Sequence, residues 1–181
     1  MDALNRVAVA EDAVPIGNVL VSVADKTDLD TLVREIRAIN PDATFYASGG
    51  TYDAVRGALR APDEVPLDET PGVVPITAYT RHKEMQGGLV KTLDYRIYLG
   101  LLSESFNEDH LADVEAEHAT TFDLVVCNFY PFEEVATKAG VTVEDLRTHI
   151  DIGGPTMLRA AAKNFLRVTA VHDLADYASL I

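Results

Sequence analysis

The chain has 181 residues, 48% of them hydrophobic and 24% charged, a balance that fits one globular domain with a sizeable core and excludes a disordered or fibrous chain. Its net charge of −14, from 29 acids against 15 bases, comes with no Lys/Arg block, which argues against a nucleic-acid backbone as partner. Apolar runs such as Leu124–Cys127 are far too short to span a bilayer, and Met1–Asp12 carries acids and no apolar signal core. The expectation is a cytoplasmic protein that binds neither nucleic acid nor membrane. Cys127 is the sole cysteine, so no intrachain disulfide forms, and its place in Leu-Val-Val-Cys reads as a buried structural thiol.

Residues 1–16 read as an N-terminal arm, and 17–181 as a single domain. Val19–Val23 is a continuous apolar run rich in β-branched residues, the pattern of a strand buried on both faces. Asp25-Lys26-Thr27 follows, and Leu29, Leu32, Val33 and Ile36 give Leu29–Ile39 helical spacing. Ala43–Ala47 reads as a second strand, and Ser48-Gly49-Gly50-Thr51 leads into a short helix over Tyr52–Leu59. Strand, turn and helix twice over predict a mainly parallel α/β sheet covered on both sides, a Rossmann-like three-layer sandwich.

Four prolines (Pro62, Pro66, Pro71, Pro75) predict that residues 61–79 are mainly loop, with at most a short edge strand near Val65. The stretch Arg81–Leu102 reads as less regular. A polar helix is expected over His110–His118, a third strand over Asp123–Asn128 and a short helix over Val143–Thr148. A final strand is expected at Arg167–Val171, and a helix begins at Leu174–Leu180.

Between the helix at Val143–Thr148 and the strand at Arg167–Val171 lies Asp151–Asn164, which reads D-I-G-G-P-T-M-L-R-A-A-A-K-N. A carboxylate, two glycines and a proline before a helical run describe a loop opening onto a helix N-terminus, where free N–H groups can meet a ligand. Read alone, the same order also fits a plain structural cap. Asp151 and Lys163 would be separated by roughly 18 Å of helical rise, so they share a site only if the loop folds back or a ligand spans them.

Ligands of open α/β sheets bind beyond the C-terminal strand ends. Asp25-Lys26-Thr27, Ser48-Gly49-Gly50-Thr51 and Asn128-Phe129-Tyr130 occupy such ends. Ser48 to Thr51 supplies hydroxyls and backbone N–H groups suited to a phosphate, although a plain tight turn fits as well. Lys26 supplies the matching charge, although a lone lysine at a strand end is as a rule simply solvated. Lys91, Tyr130, Asp151 and Lys163 have the chemistry of an acid–base and oxyanion-stabilising set, each of them also fitting a structural role as surface lysine, core-edge tyrosine or helix cap. The five histidines lack metal-ligand spacing, and no G-x-S-x-G elbow is present.

These motifs resemble the IMP cyclohydrolase domain of the bifunctional AICAR transformylase/IMP cyclohydrolase family. The family's S-V-S-D-K-T-G-L stands here as Ser22–Leu29 with Ala24 and Asp28 substituted, and its S-G-G-T is Ser48–Thr51. G-R-V-K-T-L is matched by Gly88–Leu93, C-N-L-Y-P-F by Cys127–Phe132, and the D-I-G-G motif by Asp151–Asn164. The resemblance spans roughly residues 18–181 without the family's larger transformylase portion, so a stand-alone, diverged member is expected.

The resemblance implies a methylglyoxal-synthase-like fold and the closure of formyl-AICAR to IMP with loss of water, needing no metal or organic cofactor. By motif, Asp151 and Lys163 would move protons while Lys91 and Tyr130 stabilise the oxyanion. Asp25, Lys26, Ser48, Gly49, Gly50 and Thr51 would hold the ribose phosphate end, and Thr92, Asn128, Ile152 and Gly153 the base. Implied partners are the nucleotide itself, a separate AICAR formyltransferase and a second copy of the chain as a homodimer.

The departures cluster around Lys91. Leu89 replaces an arginine, Asp94-Tyr95 replaces His-Pro, and Tyr98 replaces a further histidine. Thr80–Met85 stands where the family has T-G-F-P-E-M, and Arg81 or Lys83 would be the source of any replacement charge. Two other readings therefore stay open: a diverged cyclase acting on a related purine-like nucleotide, and a non-catalytic nucleotide-sensing module.

Overall fold

A computed structural model describes residues 7, 9–10, 12–60, 70–83, 85 and 91–180. The expected arm is thus only partly covered, and the expected strand near Val65 and the substitution at Leu89 lie outside the described residues.

Strands β1 (Asn18–Ser22), β2 (Thr44–Ala47), β3 (Val73–Pro75), β4 (Leu124–Cys127) and β5 (Thr169–Val171) form one sheet in the order β3-β2-β1-β4-β5. All four neighbouring pairs are parallel, with Val21 opposite Ala47 on one side and Val126 on the other. The expected parallel α/β sheet is the one found. β1 lies at the centre and its interior residues Val19, Leu20 and Val21 are buried, because helices cover both faces.

Val19 and Val21 face one core with α1 (Leu29–Ile39) and α2 (Gly49–Leu59), where Leu29, Leu32, Val33, Ile36 and Val55 pack. Leu20 faces the second core, built by α3 (Ile76–Thr80), α4 (Tyr95–Leu102) and α8 (Gly153–Lys163) through Ile76, Ile97, Leu101 and Met157. Period-2 alternation thus feeds two helical layers from one strand. The remaining helices are α5 (Glu108–Ala116), α6 (Phe132–Ala136), α7 (Val143–Thr148) and α9 (Tyr177–Leu180), the last entered through a 3-10 turn at Leu174–Asp176. Among the described residues no helix is long and apolar enough to cross a membrane.

Two expectations need correction. The proline-rich stretch 61–79 is not loop to its end: β3 and α3 occupy 73–80. β3 is an edge strand that finishes on Pro75, and an edge tolerates the lost donor. Within 81–102, α4 forms where irregular chain was expected, opened by the Asp94 side chain accepting from the Arg96 N–H. Its Gly100 is required by packing, since a Cβ there would lie 1.9 Å from the Thr120 carbonyl oxygen.

The chain runs outward from β1 to β2 and β3, then crosses back to β4 and β5. The C-terminal ends of β1 and β4 therefore stand side by side with their connections leaving in opposite directions, the place where open α/β sheets leave a crevice.

Candidate functional site

A cavity of about 280 Å³ opens at that crevice. Its walls come from four segments distant in sequence: the exit of β1, the turn between β2 and α2, residues 91–93, and the β4 exit with the approach to α8. Lys91, Tyr130 and Asp151 line it, as do Lys26, Ser48, Gly49, Gly50, Thr51, Thr92, Asn128, Ile152 and Gly153. Two of the expected site residues lie elsewhere. Asp25 faces a separate surface hollow with His172 and Asp173. Lys163 ends α8, exposed, at the far end of an 11-residue helix and so roughly 15 Å of rise from the cavity wall.

The turn at residues 48–51 is more helical than expected, because α2 begins at Gly49 rather than Tyr52. Ser48 occupies the N-cap position without a side-chain cap bond, and Gly49 takes φ +52°, a conformation that favours glycine. A Cβ at Gly49 would lie 3.0 Å from Lys91 Nζ, and one at Gly50 would lie 3.8 Å from Lys26 Nζ. Two ammonium groups thus flank one helix N-terminus in a chain of net charge −14. Local positive charge and the exposed N–H groups of a helix start together favour an anion.

Thr51 and Asn128 make this end rigid. The Val23 N–H donates to Thr51 Oγ1 (3.2 Å), and the same hydroxyl donates to the Val23 carbonyl (3.0 Å), tying α2 to the β1 exit. Asn128 Oδ1 accepts from the Ala24 and Asp25 N–H groups at 2.7 and 2.9 Å, while its Nδ2 donates to the Asp25 carbonyl at 2.7 Å. Both side chains line the cavity, yet most of their hydrogen-bonding capacity holds the protein's own backbone. Lys26 Nζ donates to the Ala24 carbonyl at 3.3 Å. Asp25 accepts from the Thr27 N–H and hydroxyl, which hold its carboxyl below the ordinary range.

At the opposite end, Asp151 Oδ1 accepts the Gly154 N–H at 3.0 Å, which fixes the carboxylate at the entrance of α8. The two glycines serve their own side-chain neighbours. A Cβ at Gly153 would fall 2.4 Å from Thr92 Oγ1, and one at Gly154 would meet Asp151 Oδ2, Cys127 Sγ and Phe129 within 3.0 Å. Cys127 is buried, and burial together with the Asp151 charge pushes its thiol up to about 12. It is the structural thiol expected. Tyr130 is 54% exposed and Ile152 is 57% exposed, so this end opens to solvent.

Two lining residues carried no sequence signal of their own: Thr148 and Ile150. Each sits beside a flagged motif, and only the fold brings it to the wall. Of the substituted positions, Asp94 caps α4 and pairs with His82 (Nε2 to Oδ2, 3.4 Å), while Tyr98 packs against the second core. Lys26, Lys91, Asp151 and Tyr130 form a polar cleft with cationic, anionic and hydroxyl groups, able to hold an anion at one end and exchange protons at the other.

No family model matches the chain. Proteins named bifunctional purine biosynthesis protein PurH are similar to it: that of Xanthomonas campestris pv. campestris strain 8004 is 40% identical over 173 residues, covering 95% of this chain. That of Chlorobium phaeobacteroides is 39% identical over 166 residues, covering 92%. The chain spans only 30% and 29% of those two relatives' lengths. Among solved structures, a crystal structure of ForH superposes with a TM-score of 0.72 at 28% identity, over 91% of this chain and 76% of that one.

Proposed function

This chain belongs, over 95% of its length, to the family of the bifunctional purine biosynthesis protein PurH, and we propose that it works in purine biosynthesis as an IMP cyclohydrolase. The observation that carries the reading is the convergence of Lys91, Tyr130 and Asp151, from three separate loops, on one cavity with the Ser48–Thr51 turn.

In this reading the phosphate of formyl-AICAR sits at the α2 N-terminus beside Lys26, which leaves Lys91 for the reacting end. The base reaches toward Thr92, Ile152 and Gly153. The carboxamide nitrogen attacks the formyl carbon; a C–N bond forms and the carbonyl electron pair moves to the formyl oxygen. Lys91 and Tyr130 donate hydrogen bonds to that oxygen, and Asp151 takes the proton released by the attacking nitrogen. The proton held by Asp151 passes to the oxyanion, restoring the Asp151 carboxylate. The hydroxyl so formed leaves as water with the proton of the former formamide nitrogen, giving IMP. Both reacting groups belong to one molecule, so holding the reactive conformer supplies much of the acceleration.

Lys163 of the same chain does not line this cavity. Its part in proton transfer is assigned to a second copy of the chain, which would bring it to the site. Co-purified Asp151→Asn and Lys163→Ala copies should then recover activity that neither has alone; no recovery, with a monomeric mass, removes Lys163 from the mechanism.

The direct test mixes the protein with formyl-AICAR and follows IMP by absorbance, with Asp151→Asn as control. Turnover abolished by the substitution supports the cyclohydrolase. No turnover at high enzyme concentration overturns it, and IMP binding without turnover points to a sensing module. A second reading, ring closure of a related nucleotide, is favoured by Asp94: a carboxylate paired with His82 adjoins the cavity wall at Leu93. Ordinary turnover of formyl-AICAR removes the reason for it.

A further inference from the structure

Tyr130 has an exposed ring at the mouth of the cavity and its side chain must be aimed at the site by something other than burial. Its ring meets that of His149 edge to face, with centroids 6.2 Å apart and planes at 80°. Such pairs are favourable over centroid separations of roughly 4.5–7 Å because the positive ring edge meets the negative face. Resting on the ring-closure reading, we infer that His149 is a positioning residue, holding the Tyr130 hydroxyl over the reacting formyl oxygen.

His149 is itself held. Its Nδ1 lies 2.7 Å from the Asp145 carbonyl oxygen. A carbonyl only accepts, so Nδ1 carries the proton and donates, and the ring plane is set by α7. That helix is short but strongly closed: Thr142 Oγ1 accepts the Asp145 N–H, and the Asp145 carboxylate accepts the Thr142 N–H in return. The His149 N–H donates to the Leu146 carbonyl, so the residue ends the helix and enters the Asp151 loop.

One residue therefore joins three parts. Its backbone leads through Ile150 to Asp151, its nitrogen is tied to α7, and its ring braces Tyr130 on the neighbouring β4 exit. Tyr130, Ile150 and Asp151 also form the shared edge between the cavity and an outer hollow that His149 lines. No other ring contact to Tyr130 is seen among the described residues. The sequence carried no sign of this, since His149 lacks metal spacing and belongs to no motif.

The test compares wild type with His149→Ala and His149→Phe. His149→Ala should lower kcat about threefold to eightfold with KM for formyl-AICAR changed less than twofold, because the phosphate end is untouched. His149→Phe keeps an aromatic edge against Tyr130 and should recover most of that loss. A purely structural residue would lower the melting temperature and active fraction without this pattern. NMR of protein labelled at tyrosine, with Tyr130 assigned through Tyr130→Phe, reads the contact without any substrate: its ring signals should shift in His149→Ala and lie nearer wild type in His149→Phe. Unchanged kcat or unmoved Tyr130 signals in His149→Ala overturn the inference, as does His149→Phe behaving like alanine. Wild-type protein that turns over no formyl-AICAR overturns the reaction reading and the catalytic meaning of the contact, whereas the NMR shifts decide separately whether His149 orients Tyr130.

Discussion

The two ends of the cavity are built in opposite ways. At the proposed phosphate end, Thr51 is 5% exposed and closed into two hydrogen bonds with Val23, and Asn128 ties the β1 exit with three more. At the other end, Tyr130 is more than half exposed and is steadied by one ring contact and a short helix. The difference shows a division of labour. The proposed anion end is an extension of the sheet and shares its rigidity, whereas the proposed proton-transfer end is a rim of loops whose groups are set individually. Stability and activity should therefore separate when the two ends are perturbed.

The largest effect is expected at the rim. Asp151→Asn keeps an oxygen for the Gly154 N–H but removes the proposed proton acceptor. Steady-state assay should show kcat reduced by about 10²-fold or more with the melting temperature preserved, the scale of a lost acid–base group. A stability loss instead would make Asp151 a cap and nothing else. Tyr130→Phe should lose about tenfold in kcat and leave denaturant unfolding unchanged, because its hydroxyl lies at an exposed site.

The phosphate end should answer the other way. Thr51→Val leaves the buried Val23 N–H without its partner and should cost about 1–3 kcal/mol in urea unfolding. At the α8 entrance, where the base would lie, Gly153→Ala forces a Cβ against Thr92 and should cost about 1–3 kcal/mol as an overpacking change and also weaken IMP binding, measured by calorimetry. If Thr51→Val proves as stable as wild type, the contrast between the two ends fails.

The smallest effect concerns pH. Cys127 has its thiol pushed from the ordinary 9.0 up to about 12, chiefly by burial. The native state then keeps the proton while the unfolded state releases it, so this contribution is intact below pH 9 and is lost as pH rises from 9 toward about 12. Native protein at pH 8 should resist alkylation that the unfolded chain accepts, and Cys127→Ala should flatten the alkaline slope of stability.

The parallel sheet, its central strand and the helix Leu29–Ile39 were legible because each depends on local periodicity that burial then rewards: β-branched runs for strands covered on both faces, 3.6-residue spacing for α1. The polar segments flanking Ser48–Thr51, Lys91 and Asp151 stood out for their chemical types. β3 and α4 were missed because Pro75 and Gly100 are poor formers whose places are settled by an edge position and by close contact with Thr120. Lys163 shows the limit most clearly. It shares a motif with Asp151, but a straight helix carries it to the far end, while Tyr130 and Lys91, remote in sequence, arrive at the same cavity. Sequence fixes which groups a loop presents and the rise per residue of a helix. Which loops meet follows from strand order, and the adjacency of β1 and β4 is a product of long-range pairing that no local pattern encodes.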